Sequence, residues 1–201
     1  MQLLWLVIFF AVLIWSAINP HDYPTWILET LPALIALLVM AMTRRTFPLT
    51  PLLYVLVLLH SILLMVGAHY TYAEVPLFDS ISEVLGHSRN NFDKLGHFMQ
   101  GFVPAIAARE ILMRKEVVNG RSWLNVIVVA VCLAFSAFYE LLEWLAAEIM
   151  GGGADAFLGT QGYVWDTQSD MAFALLGAIV ALVLLGRMHD AQLARLQQTS
   201  Q

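Results

Sequence analysis

Long apolar runs, each close to the length a bilayer demands, alternate with short polar stretches along this sequence. A helix rises about 1.5 Å per residue and a hydrocarbon core is about 30 Å thick, so roughly 20 mostly apolar residues read as a crossing. Residues 3–18, 26–42, 51–69, 98–113, 123–149 and 171–187 fit that pattern. The first and last reach spanning length only with their flanks. Breakers lie between the runs: Asn19-Pro20, Pro24, Pro48, Pro51, Pro76, Gly120 and the glycine triplet at 151–153. The pattern predicts an all-α polytopic membrane protein, with six transmembrane helices in one bundle forming a single integral membrane domain over residues 1–201. Its N-terminus lacks the positive region of a cleaved leader and reads as a retained first helix.

Composition sharpens this picture. The chain is 60% hydrophobic and 12% charged, about half the charged share of a soluble domain. Fifteen acidic residues outnumber ten Lys and Arg, so no basic patch exists to neutralise a nucleic acid. The single cysteine, Cys132, cannot form an intrachain disulfide and reads as a small buried hydrophobe. Eight of the ten cations (Arg44, Arg45, Arg109, Arg114, Lys115, Arg121, Arg187 and Arg195) fall in alternate loops and the C-terminal tail. Only Arg89 and Lys94 belong to the other side. The positive-inside rule then puts both termini and the basic loops in the cytoplasm.

Candidate chemistry collects at the opposite, periplasmic end. Loop 70–91 carries Glu74, Asp79, Glu83, His87 and Arg89, and loop 151–166 carries Asp155 and Asp166. Within the first, Leu77, Phe78, Ile81, Val84 and Leu85 recur at helical spacing, which fits either a short helix on the membrane surface or an ordinary loop with a few buried side chains. The third run closes with His69 and the fourth opens with Asp93, Lys94 and His97. Asp93 and His97, four apart, share a helix face, as do Asp166 and Asp170 at the start of the last run. Taken singly, Asp93, Asp166 and Asp170 also suit helix caps, and His69 and His60 suit interhelical hydrogen bonds. Trp15, Trp26, Trp123, Trp144 and Trp165 suit an interfacial belt. Glu140 and Glu143 do not read as caps, because they lie three apart inside an apolar run. Burying both requires a proton, a basic partner or a bound cation. Imidazole with carboxylate suits zinc, manganese or iron; the same residues without metal suit acid–base chemistry or the binding of a polar head group.

The strings from Ser88 to Phe102, Glu140-Leu-Leu-Glu143-Trp144, and from Gly159 to Asp170 resemble the YjdF-type family of bacterial inner-membrane proteins over essentially the whole chain. The resemblance implies a six-helix topology and an inner-membrane address, and brings no settled activity. A fainter similarity is to VanZ-like proteins, some linked to glycopeptide-antibiotic resistance, whose pattern Asp93-Lys94-x-x-His97-Phe98 repeats. Glu143 stands where that family has Gln and Asp170 where it has Asn, so this site is more acidic.

These readings give three functional expectations. The first is a metal-assisted hydrolase or transferase acting on a lipid or cell-envelope precursor. There Asp93, His97, Glu140 and His69 would be the metal ligands, and Glu140, Glu143, Asp166 and Asp170 the catalytic acids and bases. The second is a non-enzymatic binding or accessory protein for an amphipathic ligand or antibiotic at the outer leaflet. The third, a transporter, fits least, because the acids cluster at one end and no internal repeat is visible.

Overall fold

The computed structural model describes residues 2–150 and 160–199. The regular elements among them are helices: α1 (Gln2–Ser16), α2 (Tyr23–Thr43), α3 (Pro51–Tyr70), α4 (Pro76–Leu85), α5 (Phe92–Arg114), α6 (Arg121–Met150) and α7 (Asp166–Thr199). Asp155 and the triplet 151–153 lie outside the described residues.

Local chemistry explains the helix ends. Asp22 caps α2 by accepting from the Thr25 amide at 2.8 Å, and Thr50 caps α3 just ahead of Pro51. Gly86 ends α4 in the left-handed conformation, with φ of 69°. Thr71 ends α3 at φ 66°, a costly backbone for a β-branched residue. It turns the chain so that the Tyr72 ring fills the gap left by two missing side chains, Gly67 on α3 and Gly96 on α5.

Four helices, α2, α3, α6 and α7, are long and apolar enough to cross a membrane. The six-helix expectation includes two more, α1 and α5. α1 is apolar but only 15 residues long. α5 has 23 residues but carries Asp93, Lys94, Arg109, Glu110 and Arg114. Two helices outrun the apolar runs that announced them. α5 starts at Phe92, ahead of the apolar run at 98, so Asp93, Lys94 and His97 occupy its first turns, where their helical spacing puts them. α7 continues past 187 to Thr199, where His189 and Leu193 are buried and Gln192 accepts from the Leu52 amide at 2.8 Å.

Lys94 at the start of α5 meets Asp166 and Asp170 at the start of α7, and Arg109 near the end of α5 meets Asp190 near the end of α7. The two helices therefore run parallel. Their backbones touch: a Cβ on Gly101 would overlap the Ala174 carbonyl, and one on Gly177 the Phe98 carbonyl. Small residues at the crossing allow this approach, as is common between helices in membranes. α6 packs antiparallel to both. Leu53, Leu56, Val103, Ile106, Val128, Cys132, Ala178 and Ala181 make the core between α3, α5, α6 and α7; Trp5, Phe9, Ala33 and Met65 make a second one between α1, α2 and α3. Cys132 is fully buried, as its apolar setting implies.

Candidate ionic site at the N-terminal end of α5

The close α5–α7 crossing brings two acidic first turns together. Lys94 Nζ lies 2.8 Å from Asp166 Oδ1, 2.5 Å from Asp170 Oδ1 and 3.5 Å from Asp93 Oδ2. Arg89, just ahead of α5, reaches Asp166 Oδ1 at 2.6 Å and Asp93 Oδ2 at 3.1 Å. The Tyr163 ring faces both cations, 5.5 Å from the Arg89 guanidinium and 5.6 Å from Lys94 Nζ. This outer layer is a network of two cations and three carboxylates. Asp93 belongs to it as an ion-pair partner. Asn91 holds the cap position instead, with no side-chain capping bond.

One turn deeper is His97, 6% exposed. Its Nε2 faces Asp93 Oδ1 at 3.2 Å, with Asp170 Oδ2 at 3.9 Å. Its Nδ1 faces Gln100 Oε1 at 3.1 Å and Glu140 Oε1 at 3.8 Å. Glu140 Oε1 is buried without a hydrogen-bond partner among the described residues, while the Thr167 side chain bonds to the same carboxyl group. Two sets of ligand-type atoms, each within 4.8 Å of one another, share the imidazole: Asp93, His97 and Asp170, and His97, Glu140 and Glu143. Glu140 and Glu143 reach the site because α6 turns that face toward α5 and α7.

The structure thus brings together Asp93, His97, Glu140, Glu143, Asp166 and Asp170. His69 belongs to neither set. Its Nδ1 lies 3.1 Å from the Ser16 carbonyl, and its ring packs on Trp15 at 4.5 Å, tying the end of α3 to the end of α1. The basic residues are also redistributed. Arg109, counted from sequence as a loop cation, lies inside α5 and is 3% exposed.

One acid of the neighbourhood went unnoticed in the sequence. Glu29 on α2 is buried, bonds to the Tyr72 side chain and lies within electrostatic reach of Asp93, His97 and Glu143. It is the one ionisable residue in the run 26–42. The rule that singled out Glu140 and Glu143 applies to it equally. Gln100 and Thr167 carried no such signal, because neutral polar residues near helix ends are ordinary.

Comparisons with known proteins find membrane proteins. Residues 1–191 match the family described as "Predicted membrane protein (DUF2238)". The inner membrane protein YjdF of Escherichia coli (strain K12) is 55% identical over 184 residues, covering 92% of this chain and 88% of that protein. No solved structure matches the chain. With a family match over nearly its full length and a relative of more than half identity, the chain belongs to the DUF2238 family of predicted membrane proteins.

Proposed function

We propose that the chain is a six-span bundle of the bacterial inner membrane whose ionic site faces the periplasm and holds a divalent cation, zinc or manganese, through His97, Glu140 and Glu143. The observation that carries this reading is the environment of the imidazole. Asp93 takes the proton on Nε2 and so fixes the ring, the usual role of a carboxylate behind a metal-bound histidine. That leaves Nδ1 between Gln100 Oε1 at 3.1 Å and Glu140 Oε1 at 3.8 Å, the latter without a hydrogen-bond partner among the described residues. Charge supports the same conclusion. Arg89 and Lys94 are already engaged with Asp93, Asp166 and Asp170, so among the described residues Glu29, Glu140 and Glu143 lie near His97 with no Arg or Lys ion pair of their own. Buried carboxylates in that state need protons or a metal ion.

In this arrangement Asp93 would orient the ring rather than ligate, and Asp170, whose Oδ2 lies 3.9 Å from His97 Nε2, would stand beside the ligand set as an acid–base group. A divalent cation held by His97, Glu140 and Glu143 would supply Lewis acidity, the chemistry of a hydrolase or transferase acting on a lipid or cell-envelope precursor. The six-span topology has two supports. Seven of the cations outside the site still gather at the end opposite it once Arg109 is set aside as buried. Asp93 and Arg109 are 16 residues apart on one helix, roughly 24 Å at 1.5 Å per residue, close to a bilayer's hydrocarbon thickness.

A second reading has its own observation. Both ring nitrogens of His97 have oxygen acceptors in hydrogen-bond range, Asp93 at 3.2 Å and Gln100 at 3.1 Å, as in an imidazolium that donates twice. The site would then be a metal-free receptor for the polar head of an amphiphile, its surplus carboxyls protonated. Elemental analysis of purified protein, with thermal unfolding with and without EDTA, separates the two. The metal reading expects bound zinc or manganese, a lower melting temperature in chelator, and no chelator effect in His97→Ala. Protein that purifies free of metal and gains no stability from zinc or manganese ends that reading and leaves the receptor.

A further inference from the structure

The mouth of the ionic site is built from two short segments, each polar inward and apolar outward. On the inner side of α4, Ser82 Oγ donates to the Arg89 carbonyl at 2.6 Å, and Asn90 Nδ2 donates to Asp79 Oδ1 at 2.7 Å. Phe78 packs edge-on against Phe92. Segment 160–165 is fastened to the same two residues. The Thr160 carbonyl accepts from Arg89 at 2.9 Å, and the Gln161 amide bonds the Asn90 backbone in both directions, at 3.0 and 2.9 Å.

Their outer sides are different. Leu77, Ile81, Val84 and Leu85, spaced as one helical face, are all exposed, and Val84 is 85% exposed. On the second segment Val164 is 85% and Trp165 62% exposed. Leaving such side chains in water forgoes about 1.5–3 kcal/mol each relative to burial. Both segments adjoin helices that are long and apolar enough to cross a membrane: α4 follows α3 after five residues, and Trp165 immediately precedes α7. Their apolar faces therefore lie where a crossing helix meets the surface of the bilayer, continuous with its lipid-facing side. Asp79 and Glu83 are the charged residues on α4, and it carries no cation, so its contact with lipid is apolar rather than a pairing with anionic headgroups.

We infer that α4 and residues 163–165 form a collar seated in the acyl–headgroup boundary of the bilayer around the mouth of the ionic site. The site then opens at the depth of lipid headgroups rather than into bulk water. This placement holds whether the cluster binds metal or a protonated network fills it.

The test uses the full chain in phosphatidylcholine nanodiscs, with bimane on single cysteines replacing Val84, Val164 or Glu83. Wild type, whose Cys132 is buried, is the labelling control. Phosphatidylcholine bearing a doxyl group near the top of its acyl chain should quench the Val84→Cys and Val164→Cys probes several-fold more than the Glu83→Cys probe. Aqueous iodide should show the reverse order. Iodide quenching at Val84 equal to that at Glu83 overturns the collar. So does shielding of Val84 from both quenchers together with cysteine cross-linking between two chains, which would mean that a second copy covers this face.

Discussion

Two buried ionic clusters lie at opposite ends of the same parallel helix pair, and they are built on different principles. At the C-terminal end of α5, Glu110 accepts from the Thr50 amide and hydroxyl, from Arg114 at 2.9 Å and from His189 Nε2 at 3.0 Å. Arg109 donates to His189 Nδ1 at 3.0 Å and to Asp190 at 2.5 Å. A guanidinium cannot accept, so Nδ1 of His189 must, and its proton sits on Nε2 facing Glu110. Arg109 and Arg114 balance Asp190 and Glu110, with Arg121 also reaching Asp190 at 3.3 Å. No atom of this cluster is among the buried polar atoms that lack a partner in the described residues. At the N-terminal end, by contrast, acids outnumber bases and Glu140 Oε1 faces His97 without a hydrogen bond. A closed network fixes helix positions; an acid-rich network with a bare oxygen has capacity for something more.

The sharpest way to break this comparison is to neutralise the glutamate of the closed cluster. Glu110→Gln keeps the shape but sets an amide against donors that now point at a hydrogen-bearing nitrogen. Removing one partner from a buried charged network costs about 3–5 kcal/mol. The expected outcome is a large fall in melting temperature of detergent-purified protein, or loss of a monodisperse chromatographic peak. A shift no larger than that of a surface substitution would show that this cluster does not hold the fold.

A smaller effect is expected in the outer layer of the acid-rich cluster. Lys94→Met leaves Asp166 and Asp170 facing one another, although Arg89 still holds Asp166 at 2.6 Å. Asp170→Asn removes one acid, and Lys94 retains Asp93 and Asp166. If the pair acts as one unit, the double variant should be more stable than the sum of the two losses by about 1–3 kcal/mol. Additive losses would mean that Lys94 and Asp170 are not coupled and that Asp93 and Asp166 hold Lys94.

The sequence exposed these two clusters unequally. The acid-rich end was legible because Glu140 and Glu143 stand in an apolar run, and because Asp93, His97, Asp166 and Asp170 repeat at helical spacing. Their convergence needs Gly101 and Gly177, whose close helix approach no pattern announces. Glu29 carried the same signal as the other acids and was passed over. The closed cluster was illegible for another reason. Arg109 counts among the loop cations in sequence, and nothing there singles out Glu110, His189 or Asp190, since the last apolar run stops at 187. The extra turns of α7, held by Gln192 on the start of α3, are what bury them. Hydropathy also gave helix existence better than helix role: α5 holds no run as apolar as those of α2, α3, α6 and α7, yet its charged residues lie at its two ends.

The smallest expected effect is the one that divides the clusters most clearly. Glu140→Gln makes the same chemical change as Glu110→Gln, but at an oxygen that has no hydrogen bond to lose. It also removes one acid from a region where Glu29 and Glu143 have no fixed cation. In metal-free protein its effect on stability should lie within about 0.5 kcal/mol, the range typical of changes that break no network. Thr167, which bonds to this carboxyl, can bond to an amide oxygen as well. Any stabilisation that zinc or manganese gives the wild type should disappear in this variant, because an amide is a far poorer ligand for these ions than a carboxylate. Thermal unfolding of the two glutamine variants side by side, each with chelator and with added metal, gives four numbers. A loss at Glu140 as large as that at Glu110, unchanged by metal, would make both ends of the helix pair structural networks of one kind.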